Sequence, residues 1–556
     1  KFGIKKIQNN LMKEINIICT ENFGWKYYKN DVSELWYKGI IYNSSFQNLA
    51  KNLSDKSQNE IKEFLINLDG NFSFIYSDKK KICASVDKIS SIPIFYFIFG
   101  DQAYLSSSTY LLDNFIDFKN VNSNSFLAVS MSGYTVGNDT LYNNLKKLNC
   151  GEFLFFDKSI KEIKLINYYN YIPTNLELDN TEENYKKKYI DITFKIFKKL
   201  HNYSIQENKK IAISMSAGLD TRLIVSTLKE LGAQNIIGFS YGLKNNSEAK
   251  AAKKLCDYLG IPWKFSEFSN KKLKKIIFSE SFIKFRKLSD TYYSTSDYSD
   301  YFAIEELFNN NFLKNSIIVN GHSGDFIAGG HMLSEFYKND YPNNYLKNIS
   351  RAIIKKHFRL WQNLANETND QIIEKLLIER IKNLNLNIEN EKQVFGIIEC
   401  IQLQERQSKH CLSRQRNYEN FGLSWALPLW DDQYLDFWEK IPFDLKLNRK
   451  FYKDVLIKKN ISNVWQGKDW INLNSKIKVN PWFLRYLRTF FKIFFIFSKK
   501  RWKLFDKKYF FYWIDNFCGY ATVKYSKVIS DKRIFRGSLS WATYTYLKKK
   551  FNKTFE

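Results

Sequence analysis

Hydrophobic and polar positions divide the chain into three zones with different periodicities. In the first zone, residues 1–170, short apolar runs stand between turn residues, as at 70–76, 81–85 and 93–99. Apolar runs of this length, bounded by turn signals, are typical of β-strands. We therefore expect the first zone to form an antiparallel sheet domain.

The second zone, about 180–475, alternates strand and helix patterns. Buried-strand runs at 209–215 and 235–240 are each followed by a helical periodicity, at 222–231 and 248–259. This order predicts a parallel, doubly wound sheet. The expected fold class is α/β: an antiparallel β-sandwich with helices, a parallel-sheet domain and a helical C-terminal extension. The expected domains are 1–172, 180–475 and 476–556.

The third zone is basic and aromatic. Its run at 481–503 interleaves Phe, Ile, Leu and Trp with Arg and Lys, and it is too charged to span a bilayer. Two interpretations remain open. The favoured one is a helix packed on the domain, because such stripes most often face a core. The other is a helix in a membrane interface, with its cations near anionic headgroups.

Composition narrows the class of protein. At 556 residues the chain exceeds the size of a single core, so two or more domains are expected. Its net charge, 85 − 57 = +28, favours polyanionic partners or reflects biased composition, since charge governs association rather than fold. Seven scattered cysteines form no CxxC pair, which predicts reduced thiols rather than disulfides or a zinc site. No signal peptide or spanning helix is expected, so the predicted location is cytoplasmic.

The most informative segment is 214–222 (SMSAGLDTR), between a predicted strand and a predicted helix. Small residues let backbone N–H groups approach a phosphate, and the helix N-terminus adds positive charge at the same point. Hydroxyls of Ser214, Ser216 and Thr221 can bond phosphate oxygens, and Asp220 is suited to Mg²⁺ that bridges them. The alternative is an ordinary strand–turn–helix corner.

This segment resembles the SGGxDS pyrophosphate loop of the ATP-pyrophosphatase superfamily. Ala217 stands at the first Gly of the usual pair and Thr221 at the final Ser. Enzymes that thiolate tRNA or form lysidine use the same loop, and so do amide ligases. The loop alone therefore does not name the reaction.

Four further stretches resemble the asparagine synthetase family, in the right order. They are 239–261, which begins FSY, then 320–330 (NGHSGDFIAGG), 425–435 (WALPLWDDQYL) and 464–468 (VWQGK). The resemblance implies that Asp325, 105 residues after Asp220, is a second Mg²⁺ carboxylate. It implies that Lys468 stabilises the negative charge of the acyl-adenylate transition state. The nucleotide-binding residues it implies are Ser214, Met215, Ser216, Gly218, Asp220, Thr221, Phe239, Ser240, Tyr241, Gly321, Ser323 and Gly324.

Two positions depart from the family pattern. His322 stands where asparagine synthetases have Glu and β-lactam-forming relatives have Tyr, and Phe326 replaces the Glu of the DE pair. Aspartate is therefore not implied as the substrate. His322 is a candidate catalytic base for an incoming amine, and equally a residue that only lines the pocket.

Residues 1–170 resemble class II glutaminases at 68–74, 86–96 and 134–156. Active members begin with Cys, whose own α-amine serves as the base for the thiol. Here the opening KFGI resembles the family's M-C-G-I with Phe2 in the Cys position, and Cys19 lies on no matching motif. We therefore expect a glutaminase-like domain without glutaminase activity.

Together these resemblances imply a ligase that uses ATP and Mg²⁺ to adenylate a carboxylate for attack by ammonia or an amine. The expected substrate is a small-molecule or sugar carboxylate, with surface-polysaccharide biosynthesis as one setting. The alternatives are an intramolecular cyclase similar to β-lactam synthetase or lasso-peptide cyclases, an RNA-modifying enzyme, and a silent membrane scaffold. Further expectations are a homodimer and a peripheral contact with the inner face of the membrane, whereas nucleic acid is not expected as a partner.

Overall fold

The N-terminal part contains two facing sheets. The computed structural model describes residues 4–6, 13–173, 181–331, 344–384, 391–467, 482–514 and 518–551. Eleven strands are described before residue 170: β1 (Ile4–Lys6), β2 (Glu14–Ile18), β3 (Lys26–Lys29), β4 (Ser33–Ile41), β5 (Gly70–Asp78), β6 (Lys81–Val86), β7 (Phe95–Phe99), β8 (Gln102–Ser106), β9 (Leu145–Lys147), β10 (Glu152–Asp157) and β11 (Glu162–Asn167). Three helices accompany them: α1 (Phe46–Ser54), α2 (Gln58–Ile66) and α3 (Ser123–Ser132).

The seven-stranded sheet runs β1-β11-β10-β6-β5-β4-β3, and the four-stranded sheet runs β2-β8-β7-β9. Side chains of β10 show how the layers are held, since successive residues point to opposite faces of a strand. Leu154 and Phe156 belong to the core between the sheets, whereas Phe153 and Phe155 pack with α1 and α2. The predicted antiparallel sandwich is confirmed, with one exception: β2 and β8 pair in parallel.

The second part is built on a five-stranded parallel sheet. Its strands are β12 (Lys210–Ser214), β13 (Ile236–Leu243), β14 (Trp263–Phe268), β15 (Ser316–Val319) and β16 (Ser424–Ala426), in the order β14-β13-β12-β15-β16. The order reverses between β12 and β15, which is the doubly wound arrangement predicted from the sequence. In such sheets ligands bind outside the carboxyl ends of the strands at this switch point.

Helices connect and cover the parallel sheet. They are α4 (Glu182–Gln206), α5 (Leu219–Glu230), α6 (Ser247–Leu259), α7 (Asn270–Ile277), α8 (Glu280–Leu288), α9 (Tyr301–Asn309), α10 (Tyr345–His357), α11 (Glu367–Lys382), α12 (Glu391–Gln402), α13 (Gln415–Glu419), α14 (Asp432–Lys440), α15 (Phe443–Lys446) and α16 (Lys450–Lys459). Two π-helical segments also occur, Phe326–Gly330 and Leu403–Cys411. The helix predicted at 222–231 begins three residues earlier, because Gly218 is its N-cap.

The C-terminal extension is helical, as predicted. Its helices are α17 (Trp482–Ile493), α18 (Lys499–Tyr509), α19 (Phe511–Ile514), α20 (Cys518–Thr522), α21 (Tyr525–Ser530) and α22 (Ser538–Phe551). Trp541 packs with Trp361 of the middle zone, and Leu547 joins the core formed by the four-stranded sheet and α3. The extension therefore shares its cores with both preceding parts of the chain.

The favoured interpretation of 481–503 as a helix packed on the domain is wrong for its outer face. Phe490, Phe494 and Phe497 are 54%, 68% and 100% exposed. The inner face packs against α18, where the rings of Phe491 and Phe505 are in contact. Among the helices that the structure describes, none combines the length and the apolar character needed to cross a membrane.

Candidate active site

A cleft of about 580 Å³ opens at the carboxyl ends of β12 and β15. It coincides with the switch point of the parallel sheet, where this type of fold places its ligands. Nine of the sequence-predicted residues line it: Ser214, Met215, Ser216, Gly218, Asp220, Thr221, Tyr241, Gly321 and His322. The structure thus brings the two most informative motifs to one cavity, although they lie about a hundred residues apart in the chain.

The segment after β12 is held in shape by its own hydroxyls. The backbone N–H of Gly218 donates to Oγ of Ser216 at 3.1 Å, and the N–H of Ser216 donates to Oγ1 of Thr221 at 3.3 Å. Gly218 is the N-cap of α5, so the first turn of this helix opens on the cleft. Unpaired N–H groups and the helix dipole make that point a suitable site for an anion.

Asp220, which lines the cleft, contacts the backbone of Asp325 just outside the lining. The backbone N–H of Asp325 donates to Oδ2 of Asp220 at 3.2 Å, and the hydroxyl of Tyr452 donates to Oδ1 at 2.9 Å. A Cβ atom on Gly324 would lie 2.7 Å from Oδ1 of Asp220, so glycine is required for this approach. The geometry brings Asp220 and Asp325 together, as the sequence predicts.

The charges of this pair are unequally stabilised. Burial, together with the neighbouring charge of Asp325, raises the pKa of Asp220 to about 7. Burial alone would also raise the pKa of Asp325, but Nε2 of His331, 3.2 Å from its Oδ2, contributes to holding that pKa below its ordinary value. Asp220 and Asp325 repel when both are ionised, although the Asp325 side chain is 45% exposed, and a divalent cation relieves that repulsion. The oxygen donors therefore fit Mg²⁺.

His322 lines the cleft as a neutral side chain. Burial, and then the positive charge of Arg414, lower its pKa to about 3. Its Nδ1 has no hydrogen-bond partner among the residues that the structure describes. Arg414 is itself fixed by Asp297, whose Oδ2 accepts from Nε at 3.1 Å. A neutral imidazole of this kind is better suited to a hydrogen bond than to storing a proton.

Strand β13 contributes fewer residues to the lining of the cleft than the sequence predicts. Tyr241 faces the cleft and stacks on Phe268, with ring centroids 5.5 Å apart. Phe239 and Ser240 lie behind the lining and are buried. Oγ of Ser240 donates to the carbonyl of Met215 at 2.8 Å, so Ser240 positions the end of β12 from within the sheet.

The predicted residues of the turn after β15 also fall into two groups, those that line the cleft and those that do not. Gly321 and His322 line the cleft, whereas Ser323, Gly324 and Asp325 stand outside its lining. Oγ of Ser323 donates to Oε1 of Gln407 at 2.7 Å, which ties the turn to the π-helical segment at 403–411.

Several residues at the site were missed by sequence reasoning. Arg414 lies in no motif-like stretch, and Tyr452 contacts Asp220 from a helix 232 residues later. Phe511 and Ile514, from the C-terminal extension, also line the cleft. The chain carries no local signal for such contacts. Lys468 and Phe2, two important predictions, lie outside the described residues.

Comparison with known proteins agrees with the motifs. Residues 202–459 match the asparagine synthase family model. This part of the chain belongs to the asparagine synthase family. The asparagine synthase domain falls within the predicted 180–475 segment and contains both Asp220 and Asp325.

Two curated relatives align with this chain. A Methanocaldococcus jannaschii protein named as a glutamine-hydrolysing asparagine synthetase 2 is 24% identical over 305 residues, 53% of this chain and 54% of its own length. The microcin J25-processing protein McjC of Escherichia coli is 24% identical over 227 residues, 39% of each chain. The chain thus matches about half or less of these relatives' lengths.

One solved structure that aligns with part of this chain is the NH3-dependent NAD synthetase of Campylobacter jejuni. It is 13% identical, with a TM-score of 0.20, and the match covers 36% of this chain and 97% of that one. The strand order of the chain itself has the antiparallel sandwich first and the parallel sheet second.

Proposed function

We propose that the chain is an ATP-dependent ligase that converts a carboxylate into an amide. A carboxylate oxygen attacks the α-phosphorus of ATP, the bond to the β-phosphate oxygen breaks, and pyrophosphate leaves. The nitrogen of ammonia or an amine then attacks the acyl carbon, and AMP leaves as the amide forms. The amine gives up its proton in this second step.

One observation carries the proposal. The carboxylate of Asp220 accepts a hydrogen bond from the backbone N–H of Asp325, which brings these two acidic residues together beside the small-residue loop and at the switch point of the sheet. The same arrangement would serve little purpose in a purely structural turn, because the charge of Asp325 disfavours ionisation of the partly buried Asp220 carboxyl. The asparagine synthase match over this segment supports the assignment.

The roles of individual residues follow from their positions. The N–H groups at the start of α5, with the hydroxyls of Ser216 and Thr221, would bind phosphate oxygens. Asp220 and Asp325 would hold Mg²⁺, which neutralises phosphate charge when bound. His322, neutral and facing the cleft, is better placed to orient a substrate than to act as a strong base.

The remaining parts of the proposal concern substrates and setting. The nitrogen donor is free ammonia or an amine rather than glutamine, and the acyl substrate is a small-molecule or sugar carboxylate. The enzyme would work on the cytoplasmic side, and the described cysteines, which are free thiols, agree with that compartment. A homodimer remains a further proposal.

A peptide-processing role is the second candidate. Alignment with the microcin J25-processing protein supports it, as does the replacement of Glu by His322. In this case the amine and the carboxylate belong to one substrate, and the same adenylation step applies.

ATP–pyrophosphate exchange tests the proposal. The wild-type chain, offered aspartate, uronic-acid nucleotide sugars and carboxylate-containing peptides, should exchange pyrophosphate with one of these classes and release AMP. Asp220→Asn and Asp325→Asn should each lower the exchange rate by about 100-fold or more, since a metal-binding carboxylate is lost at constant volume.

Asp191→Asn, on the exposed side of α4, is the matched control and should leave exchange unchanged. Release of ADP instead of AMP, or full exchange by both site variants, would show that the proposed reaction is wrong.

A further inference from the structure

Helices α17 and α18 form a hairpin that is held by polar and aromatic contacts between their facing sides. Arg488 binds Asp506 through two hydrogen bonds, of 2.5 Å and 2.6 Å. Phe491 packs against Phe505 with ring centroids 5.3 Å apart, and Phe495 lies 4.9 Å from the same ring. The two helices therefore hold each other, and one aromatic face of α17 is covered by α18.

A second apolar face of α17 points to solvent. We define the outer stripe as the large apolar residues that recur every three or four positions along α17 and the turn after it, namely Phe483, Leu487, Phe490, Phe494 and Phe497. Each is more than two-fifths exposed, and Phe497 is fully exposed. Within α17 this spacing places Phe483, Leu487 and Phe490 on one side of the helix, and Phe494 and Phe497 follow in the exposed turn. Contiguous exposed apolar surface of this kind marks an interaction site.

Cations accompany the outer stripe. The exposed basic residues of the hairpin are Lys492, Lys499, Lys500, Arg501 and Lys503. An exposed apolar stripe followed along the hairpin by a cluster of exposed Lys and Arg matches the surface of an anionic bilayer, where acyl chains lie beneath negative headgroups. A second copy of the same hairpin fits less well, because the basic residues of the two copies would face each other.

We propose that the α17–α18 hairpin docks this protein on anionic lipid bilayers. The outer stripe enters the interface, and the basic residues remain at the level of the headgroups. Helix α18 ends at Tyr509, two residues before Phe511 on the wall of the cleft. Docking therefore holds the cleft beside the membrane. This inference concerns the surface and does not depend on the proposed reaction.

Co-sedimentation of the full chain with vesicles, without ATP, tests the inference. The wild-type chain should bind vesicles that contain phosphatidylglycerol at least about tenfold more tightly than pure phosphatidylcholine vesicles, and added salt should weaken that binding. Lys499→Gln/Lys500→Gln/Arg501→Gln should reduce binding to anionic vesicles by about 100-fold, since each cation contributes separately near a charged surface.

The apolar contribution is tested with Phe490→Ser/Phe494→Ser/Phe497→Ser. This variant should also lose binding by at least about tenfold. Two matched controls remove comparable groups elsewhere. Phe99→Ser/Phe278→Ser removes rings that are 67% and 60% exposed, and Lys271→Gln/Lys275→Gln/Lys284→Gln removes three exposed cations. Both controls should bind vesicles like the wild type.

Equal binding to both kinds of vesicle would overturn the inference, and so would wild-type binding by the two hairpin variants. Light scattering of each variant tests the alternative that the outer stripe binds a second copy of the chain. If the stripe substitutions convert a dimer to a monomer and leave vesicle binding unchanged, the stripe is an interface between copies of the chain and the inference is wrong.

Discussion

Lys147 and Lys409 lie close together in the interior, yet their surroundings differ. Lys147 is 1% exposed, and its Nζ has no hydrogen-bond partner among the described residues. It lies 5.1 Å from the ring centroid of Tyr293, which offers only a weak compensating attraction. Burial, and then the charge of Lys409, lower the pKa of Lys147 to about 8. The chain therefore loses stability by burying this ammonium group.

Lys147→Met should raise the free energy of unfolding at pH 7, by on the order of 2 kcal/mol, because an uncompensated charge is replaced by an apolar side chain of similar length. The pKa is about 8 in the folded chain and about 10.5 in the unfolded chain. Between these values only the unfolded chain keeps the proton, so the wild type gains stability as the pH rises.

Urea denaturation at several pH values measures this effect. The advantage of Lys147→Met should be full below pH 8 and shrink towards pH 10.5. Lys146→Met is the control, since Lys146 is 31% exposed and forms a surface ion pair with Asp139, and it should change stability little. A destabilised Lys147→Met variant would contradict the prediction.

At the scale of elements, the site depends on how closely the turn after β15 approaches α5. A Cβ on Gly321 would lie 2.9 Å from Cβ of Asp220, and one on Gly324 would lie 2.7 Å from both Oδ1 of Asp220 and Cδ1 of Leu429. Contacts this short require something to move. Near Gly324 the movable group is the Asp220 carboxylate itself.

Gly324→Ala should therefore impair activity more than stability. The added methyl group displaces the Asp220 carboxylate, so ATP–pyrophosphate exchange should fall by about tenfold or more, as expected for a misplaced binding group. The melting temperature should fall by only a few degrees.

Gly537→Ala is the matched control, because nothing lies within 4 Å of the Cβ it would add. It should leave both quantities near their wild-type values. If Gly324→Ala kept full exchange, the proposed role of the close approach would be wrong.

Element boundaries were predicted well where local pattern decides them. The strands at Lys210–Ser214 and Lys81–Val86 and the helix at Ser247–Leu259 differ from the sequence-based ranges by one residue at one or both ends. Asn246 explains the helix start, since its side chain accepts from the N–H of Glu248 at 2.8 Å. The parallel pairing of β2 with β8 was missed, because strand direction depends on chain reversals that no local pattern records.

At the scale of the whole molecule, a buried polar group joins the sandwich to the asparagine synthase domain. Nζ of Lys409 donates to the carbonyls of Thr135 and Gly137 at 2.8 Å and 2.7 Å, and it pairs with Glu405. Oε2 of Glu405 accepts from the N–H of Gly137 at 3.0 Å. Both side chains come from the segment Leu403–Cys411. Each buried atom in this contact has a partner, unlike the ammonium of Lys147.

Lys409→Met should lower the free energy of unfolding by about 3–5 kcal/mol, the opposite sign to Lys147→Met, because two buried carbonyls lose their donor and Glu405 is left with the more distant Arg380, at 3.3 Å. Adding Glu405→Gln should deepen this loss, since Arg380 then loses its carboxylate partner. Chemical denaturation of the two single variants and the double variant gives the comparison. Equal effects of Lys409→Met and Lys147→Met would contradict this account.

The sequence by itself determined the local chemistry of this protein. We could predict the loop at 214–222 and the helix after it from the sequence, because neighbouring residues fix backbone conformation and helix capping. The order of strands and helices gave the fold class for the same reason. Lys468 and Phe2 remain predictions, since both lie outside the described residues.

Only the tertiary structure decided which distant groups meet. It brought Asp325 to Asp220 across 105 residues, added Tyr452 to the same carboxylate, and placed Phe511 and Ile514 on the cleft wall. It also exposed the outer stripe that periodicity alone had assigned to a core. The physical reason is that such contacts result from strand order and from many weak packing interactions summed over the whole chain, and no single segment contains that information.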